Sequence, residues 1–277
     1  MAKGIGLIGN FKGKVGNMVG YKLTASNTGN TQGVRVYQPI VKNPKTSAQA
    51  EQRAKLAPIN ATYRALKMVI DRGNEGLHYG NKSRLAWLKQ AFRAENMPWF
   101  EKGKLISSPV VCQLTKGSLV DVNFSVTASS IQVEVSGVTS ETDITTIGKL
   151  STALLAGIPS LKEGDQLTFV ALKTVNGQLS SRVFSIVLDT TSADSQSILE
   201  ADGNMVFFDA FDEGGFGCVI VSREGSAGEH LRSTTNLMAS PGTTAAAPYD
   251  TTSKTAAIES YRSSAAVNAD WAEESIQ

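Results

Sequence analysis

Gly4-Ile5-Gly6-Leu7-Ile8-Gly9 has the letters of the G-x-G-x-x-G turn, in which glycine backbone approaches a pyrophosphate at a helix N-terminus. That chemistry needs a strand before the first glycine, a helix after the third and an acidic residue about 20 positions on. Three residues precede Gly4 and further glycines follow Gly9, so the segment reads as hairpin glycine, not a nucleotide site. Gly9-Asn10-Phe11-Lys12-Gly13-Lys14-Val15 approaches a phosphate loop but is one residue short between its glycines, and Val15 stands where Mg²⁺ needs a hydroxyl. His78 and His230 lie 152 positions apart, and neither a triad nor a zinc site assembles around them. Asp202, Asp209, Asp212 and Glu213 are acidic residues among glycines that lack the D-x-[DN]-x-[DN]-G calcium-loop spacing. Asp209 with Glu213 could act as acid and base on a cell-envelope polymer if held about 5–10 Å apart; an acidic, solvated turn is the plainer reading. No catalytic residue, metal ligand or cofactor site is assigned, and the expectation is a protein that is not an enzyme.

Charge is the strongest signal. Residues 1–105 carry 18 Lys and Arg against 5 Asp and Glu, whereas residues 106–277 carry 9 against 20, so a net charge of +2 conceals a strongly dipolar chain. Lys12, Lys14, Lys22, Arg35, Lys42, Lys45, Arg53 and Lys55 are interleaved with Tyr21, Tyr37 and many glycines. On a two-stranded ribbon they could follow a nucleic-acid backbone without reading sequence, making them candidate nucleic-acid-binding residues. The same asymmetry would also pair the basic half of one subunit with the acidic half of another, or keep an edge hairpin soluble.

These residues need elements to hold them. Met18–Thr24 and Val34–Ile40 flank the turn-rich segment 25–33 as a hairpin, with Pro39 ending the ladder. Thr46 and Gln49 have capping-box spacing. Leu56, Ile59, Tyr63, Leu66 and Ile70 follow at steps of 3, 4, 3 and 4 on one helical face, interrupted by Pro58, which predicts a kink or two short helices. A second helix is expected over about 83–95 with Leu85, Leu88 and Phe92 inward. From about residue 106 the apolar period becomes two: 119–126, 131–135, 167–172 and 183–188 read as strands, with Lys162-Glu163-Gly164-Asp165 and Asn176-Gly177 as turns. The predicted fold is α+β, mainly β. Residues 1–105 form a basic hairpin-helix domain, 106–190 an immunoglobulin-like β-sandwich and 191–239 an additional β-hairpin region packed on the sandwich. Residues 240–277 form an extended low-complexity arm with a short helix near 255–261.

Hydrophobic content of 41% and charged content of 19% are those of a globular chain. Neither a signal-peptide core nor 18 consecutive apolar residues occurs, so synthesis in the cytoplasm and no membrane partner are expected. Cys112 and Cys218 read as small core residues, because a disulfide framework needs more cysteines.

Phe11-Lys12-Gly13-Lys14-Val15-Gly16-Asn17-Met18-Val19-Gly20-Tyr21, then Val34-Arg35, then Asn43-Pro44-Lys45-Thr46-Ser47-Ala48-Gln49 with Gln52-Arg53, follow the order F-x-G-K-V-G-x-x-V-G-Y, V-R, N-P-[RK]-T-x-x-Q-x-x-R. In this the chain resembles a domain-of-unknown-function family common in Bacteroidota and their phages. The likeness extends more weakly through Gly164-Asp165, Ser180–Phe184 and Ser222–Glu224 to Thr234. The resemblance implies a hairpin-helix module before a sandwich and a phage or prophage setting; it brings no activity and no catalytic residues. The expected function is a non-enzymatic structural protein of a phage particle, a capsid, decoration or tail-type component located in the virion. Its expected partners are copies of itself and other virion proteins. The alternative is a nucleic-acid-binding protein acting through residues 12–55.

Overall fold

The computed structural model of the chain describes residues 13–23, 31–37, 46–135, 144–212, 214–226, 228–242 and 249–263. It divides into two units, Met1–Pro44 and Lys45–Gln277. In the first, strands β1 (Gly13–Val15), β2 (Met18–Leu23) and β3 (Thr31–Val36) form an antiparallel sheet in that order. Gly16, at φ 58°, opens the two-residue turn between β1 and β2, since Val15 pairs with Met18. The expected hairpin is therefore present as β2–β3, with β1 added; Pro39 lies outside the described residues.

The second unit begins with helices α1 (Ser47–Ala65), α2 (Lys67–Ile70) and α3 (Asn81–Ala91). Thr46 caps α1 by accepting the Gln49 N–H at 3.3 Å, but the Gln49 side-chain oxygen is buried without a hydrogen-bond partner, so the box is half made. The helix runs continuously through Pro58, and the break expected there falls at Leu66 instead. One helical turn past the proline, the buried Thr62 hydroxyl donates to the Pro58 carbonyl and accepts the Val110 N–H, both at 2.9 Å, tying α1 to the chain entering the sheets. Ile59, Leu66 and Ile70 are buried as the periodicity predicts, whereas Leu56 is exposed. On α3 the inward stripe is Ser83, Trp87 and Ala91, with Leu88 and Phe92 packed at its margin. Leu85 is 49% exposed, contrary to expectation. Ser83 can face inward because its hydroxyl donates to the Ile70 carbonyl at 2.7 Å, and that orientation swings Leu85 out.

Eleven further strands follow: β4 (Gln113–Thr115), β5 (Phe124–Val126), β6 (Ser130–Glu134), β7 (Gln166–Val175), β8 (Gln178–Val187), β9 (Glu200–Asp202), β10 (Met205–Asp209), β11 (Phe216–Glu224), β12 (His230–Arg232), β13 (Thr235–Asn236) and β14 (Met238–Ala239). They build an antiparallel sheet β5-β6-β10-β9, a five-stranded antiparallel sheet β12-β11-β7-β8 with β14 also on β11, and the pair β13-β4. The protein is thus α+β and mainly β, and its two larger sheets face each other in a sandwich-like arrangement. Only 124–126 of the expected strand 119–126 joins a sheet.

Strands β7 and β11 are buried on both faces. Leu167, Phe169, Ala171, Val219 and Val221 pack between the sheets, while Val170, Leu172, Cys218 and Ile220 pack under the helices with Ile59, Trp87 and Trp99. Helix α4 (Ile147–Gly157), which the sequence reading omits, adds Ile147, Leu150 and Leu154 to the inter-sheet core. Gly148 is needed there, because a Cβ would lie 2.5 Å from the Ser192 carbonyl oxygen. The short helix expected near 255–261 is present as the longer α5 (Thr251–Ser263), and it is not part of a free arm, since its Ala257 is fully buried in the helical core. Lys254 pairs with Glu51 of α1 at 3.3 Å, and the Tyr249 hydroxyl donates to the Pro109 carbonyl at 3.1 Å, so this segment docks on the helical layer.

The turn into β7 rests on buried Asp165, which accepts from Arg223 Nε at 2.6 Å and Nη2 at 2.7 Å and from the Lys162 N–H at 2.8 Å. This fork, opposed by burial, holds the Arg223 guanidinium above its ordinary value. Asp165→Ala strands that guanidinium and is expected to lower stability by about 3 kcal/mol, read as a shift in denaturant midpoint at unchanged slope; a loss below about 0.5 kcal/mol would contradict this role.

Candidate assembly surfaces and the placement of the predicted site residues

Strand β8 ends the five-stranded sheet, with no strand on its outer side among the described residues. Asn176 and Gly177, at φ 50° and 74°, make the two-residue turn from β7, and Val175 pairs with Gln178. Both left-handed positions fit a type I′ hairpin, whose closing pair is hydrogen-bonded. The alternation that follows directs the even-numbered backbone groups of β8 to β7 and those of Ser181, Val183, Ser185 and Val187 outward. Phe184 stacks on Phe169 at 4.7 Å and anchors the even face in the sandwich. On the odd face Leu179 joins the helical core and the Ser181 hydroxyl donates to the Ala65 carbonyl at 2.6 Å, at the end of α1. The helical cover stops there: Val183 is 43% and Val187 52% exposed. The strand contains no Lys, Pro or Asp/Glu; its one charge, Arg182, reaches Asp209 at 3.5 Å across the sandwich. It lacks the usual guards against edge pairing.

The sheet β5-β6-β10-β9 is acidic. Glu134, Glu200, Asp202 and Asp209 are exposed on it, and its strands carry no Lys or Arg. Residues 1–45 are the converse, with seven Lys and Arg and no carboxylate. In the first unit, Lys14 and Arg35 both stand opposite Val19, so they share one face of the small sheet. The Lys14 ammonium lies 3.6 Å from the Tyr37 ring centre. Lys22 is in β2 opposite Gln32, and Lys12, Lys42 and Lys45 lie outside the described residues. In the second unit, Arg53 and Lys55 are on α1. Lys55 pairs with Glu51 at 3.1 Å, and it and Lys254 lie 5.9 and 5.2 Å from the Trp99 ring centre. Lys55 thus serves the packing of α1, α5 and Trp99.

The remaining candidates are dispersed. Asp212 pairs with Lys173, Asp209 with Arg182, and Glu213 lies outside the described residues. His230 sits in β12 with its ring 5.4 Å from Tyr79, and His78 is exposed. Among the described residues no three His, Cys, Asp or Glu side chains gather as metal ligands, and no helix is long and apolar enough to cross a membrane. The glycine motif at 4–9 lies outside the described residues, while Gly13–Val15 form β1. Cys218 is fully buried and Cys112 half-buried; burial raises both thiols, Cys112 to about 12 against a smaller opposing pull from Trp87.

Sequence reasoning missed a knot around Glu75 in the loop between α2 and α3. Its carboxylate accepts the Ser118 N–H and hydroxyl, each at 2.8 Å, and the Arg232 N–H at 3.2 Å. Gly117 packs so closely that a Cβ would lie 2.0 Å from the Arg232 carbonyl oxygen. The signal available was small, a lone glutamate in a loop and a Lys-Gly-Ser turn 41 residues later.

Comparison with known proteins finds no matching family, no curated relative and no solved structure.

Burial raises the Glu75 carboxyl, but the hydrogen bonds from Ser118 and Arg232 outweigh it and hold the group below its ordinary value. A carboxyl depressed on folding contributes stability above its unfolded pKa of about 4.3 and loses it as pH falls through the lower folded value. Glu75→Gln is therefore expected to be less stable than the parent at pH 7, with the two stability curves converging on acidification below about pH 4. Parallel curves in a pH series of denaturant melts would contradict this.

Proposed function

We propose that this chain is a non-enzymatic structural protein of a phage particle, a capsid, decoration or tail-type component that assembles from copies of itself. The observation that carries the reading is β8, an unguarded ten-residue sheet edge with Val183 and Val187 exposed beside it. An extended segment added to that edge would satisfy the outward N–H and C=O groups of Ser181, Val183, Ser185 and Val187 and cover both valines. The occupant is a second copy, contributed through its acid-free first unit, because seven cations and no carboxylate in residues 1–45 complement the four carboxylates of the neighbouring sheet. In this reading the body is an immunoglobulin-like sandwich carrying helices on the outer face of its larger sheet. Such head-to-tail pairing joins two different surfaces, so it closes a ring or propagates an open array, as a virion lattice or tail tube requires. The resemblance of residues 11–53 to a family found in Bacteroidota phages supports the setting.

Val183→Pro tests the edge. Its N–H points away from β7, so proline blocks strand addition while sparing the ladder. Light scattering after size exclusion is expected to find the parent as an oligomer or larger assembly and the variant as a monomer melting within a few degrees of it. A parent that stays monomeric at high concentration, or a variant that assembles equally well, would overturn the reading.

A further inference from the structure

The exposed face of α3 borders a groove that the assembly reading does not use. Lys82, Arg84, Lys89 and Arg93 fall within residues 81–94, and the first carboxylate after them, Glu95, lines the far part of the groove. Lys89 in the last turn of α3 and Arg93 just beyond its end both border the cavity and carry like charges. Lys116 comes from the loop after β4 and meets them across a cavity of about 570 Å³, which Asn74, Glu75, Gly76, Ala86 and Gln90 also line. Ala86 leaves the space open, and backbone hydrogen bonds hold the opposite wall. The Glu75 N–H donates to the Lys116 carbonyl and the Lys116 N–H to the Gly73 carbonyl, both at 2.9 Å, while the Glu75 carboxylate keeps its negative charge but turns its oxygens to Ser118 and to the Arg232 backbone N–H. A second cavity of about 410 Å³, lined also by Asn96, Gln113 and Asn236, adjoins the first at Gln90 and Arg93. Among the described residues, none of Lys89, Arg93 and Lys116 forms an ion pair.

We propose that this groove binds single-stranded nucleic acid, with Lys89, Arg93 and Lys116 on its phosphates and the side-chain amides of Gln90, Asn96 and Asn236 on its base edges. Three unpaired cations outnumber the carboxylates of Glu75 and Glu95 in the lining, and that positive balance supplies the sequence-independent attraction. Amides suit bases, whose edges offer donors and acceptors together, better than they suit the carboxylates of an acidic peptide, which need donors alone. A duplex would leave those amides unused, because its base edges are already paired or recessed in grooves. The site is distinct from residues 12–55, and the assembly reading can fail without it.

The test is fluorescence anisotropy of full-length protein with a fluorescein-labelled 12-nucleotide oligo-dT across a salt series, on the parent and three variants. In the groove variant, Lys89→Glu with Arg93→Glu, affinity is expected to fall at least tenfold. The slope of log affinity against log salt should flatten by about 1.4, since each lost contact to a single strand contributes about 0.7. A charge control, Lys149→Glu on α4, and the ribbon variant, Lys14→Glu with Arg35→Glu, are expected to stay within twofold of the parent. Lys116→Ala probes the opposite wall with a smaller perturbation and is expected to flatten the slope by about 0.7. Absence of binding by the parent, loss only in the ribbon variant, or equal displacement of the oligonucleotide by a 12-residue oligo-glutamate would each overturn the proposal, the last by assigning the groove to an acidic peptide.

Discussion

Strands β7 and β11 must bury both of their faces, and most of the architecture follows from that requirement. Their sequences run apolar without alternation, Leu-Thr-Phe-Val-Ala-Leu and Phe-Gly-Cys-Val-Ile-Val, the pattern of strands covered on two sides. One face needs a second sheet and α4, the other needs α1, α3 and α5, and neither layer closes its own core without this shared sheet. Gly217 belongs to the same constraint: a Cβ there would lie 3.0 Å from Ile131, so its absence sets how closely the sheets approach. The helical layer is fixed in turn, since Trp87 and Ile59 lie over Val170, Leu172 and Cys218 in a single cluster.

The demand weakens toward the margin of the sheet. β8 keeps its inner face in the sandwich through Phe184 and Ile186, but α1 ends over Ser181, and beyond that point the strand has neither helical cover nor a neighbour among the described residues. The same molecule therefore joins a rigid interior to an edge with unmet hydrogen-bonding capacity. Its charges are divided along related lines. Cations concentrate in the first unit and along α3, and exposed carboxylates line the sheet that α1, α3 and α5 do not cover, a separation that in the proposed assembly would favour contacts between unlike surfaces of different copies.

The sequence was legible where a local signal and the global demand agreed. Asn176-Gly177 between two apolar runs could only be a tight hairpin, and Thr46 before a 3,4-periodic stretch marked the start of a helix. It was misleading where a tertiary partner decided the outcome. Pro58 stays inside α1, where Thr62 ties its carbonyl back to the helix and to Val110. Ser83 displaces Leu85 from the core because the Ile70 carbonyl waits for its hydroxyl. Helix α4 was missed because Gly, Ser and Thr dilute its apolar period, although Thr146 caps it and Ile147, Leu150 and Leu154 recur on one face. The groove on α3 was illegible for a different reason: Lys116 is 23 positions beyond Arg93 and lies in the acidic half of the chain, so only the fold brings it to Lys89.

Residue-resolved hydrogen exchange on the full-length protein, repeated across a range of protein concentrations, tests the central claim most directly: a sheet closed on both faces at its centre and left open at its edge. The account predicts that β7 and β11 amides exchange only with global unfolding at every concentration, while those of Ser181, Val183, Ser185 and Val187 exchange quickly when dilute and become protected as concentration rises. Slow exchange of those four amides in dilute monomer, or helices that open independently of β7 and β11, would contradict it.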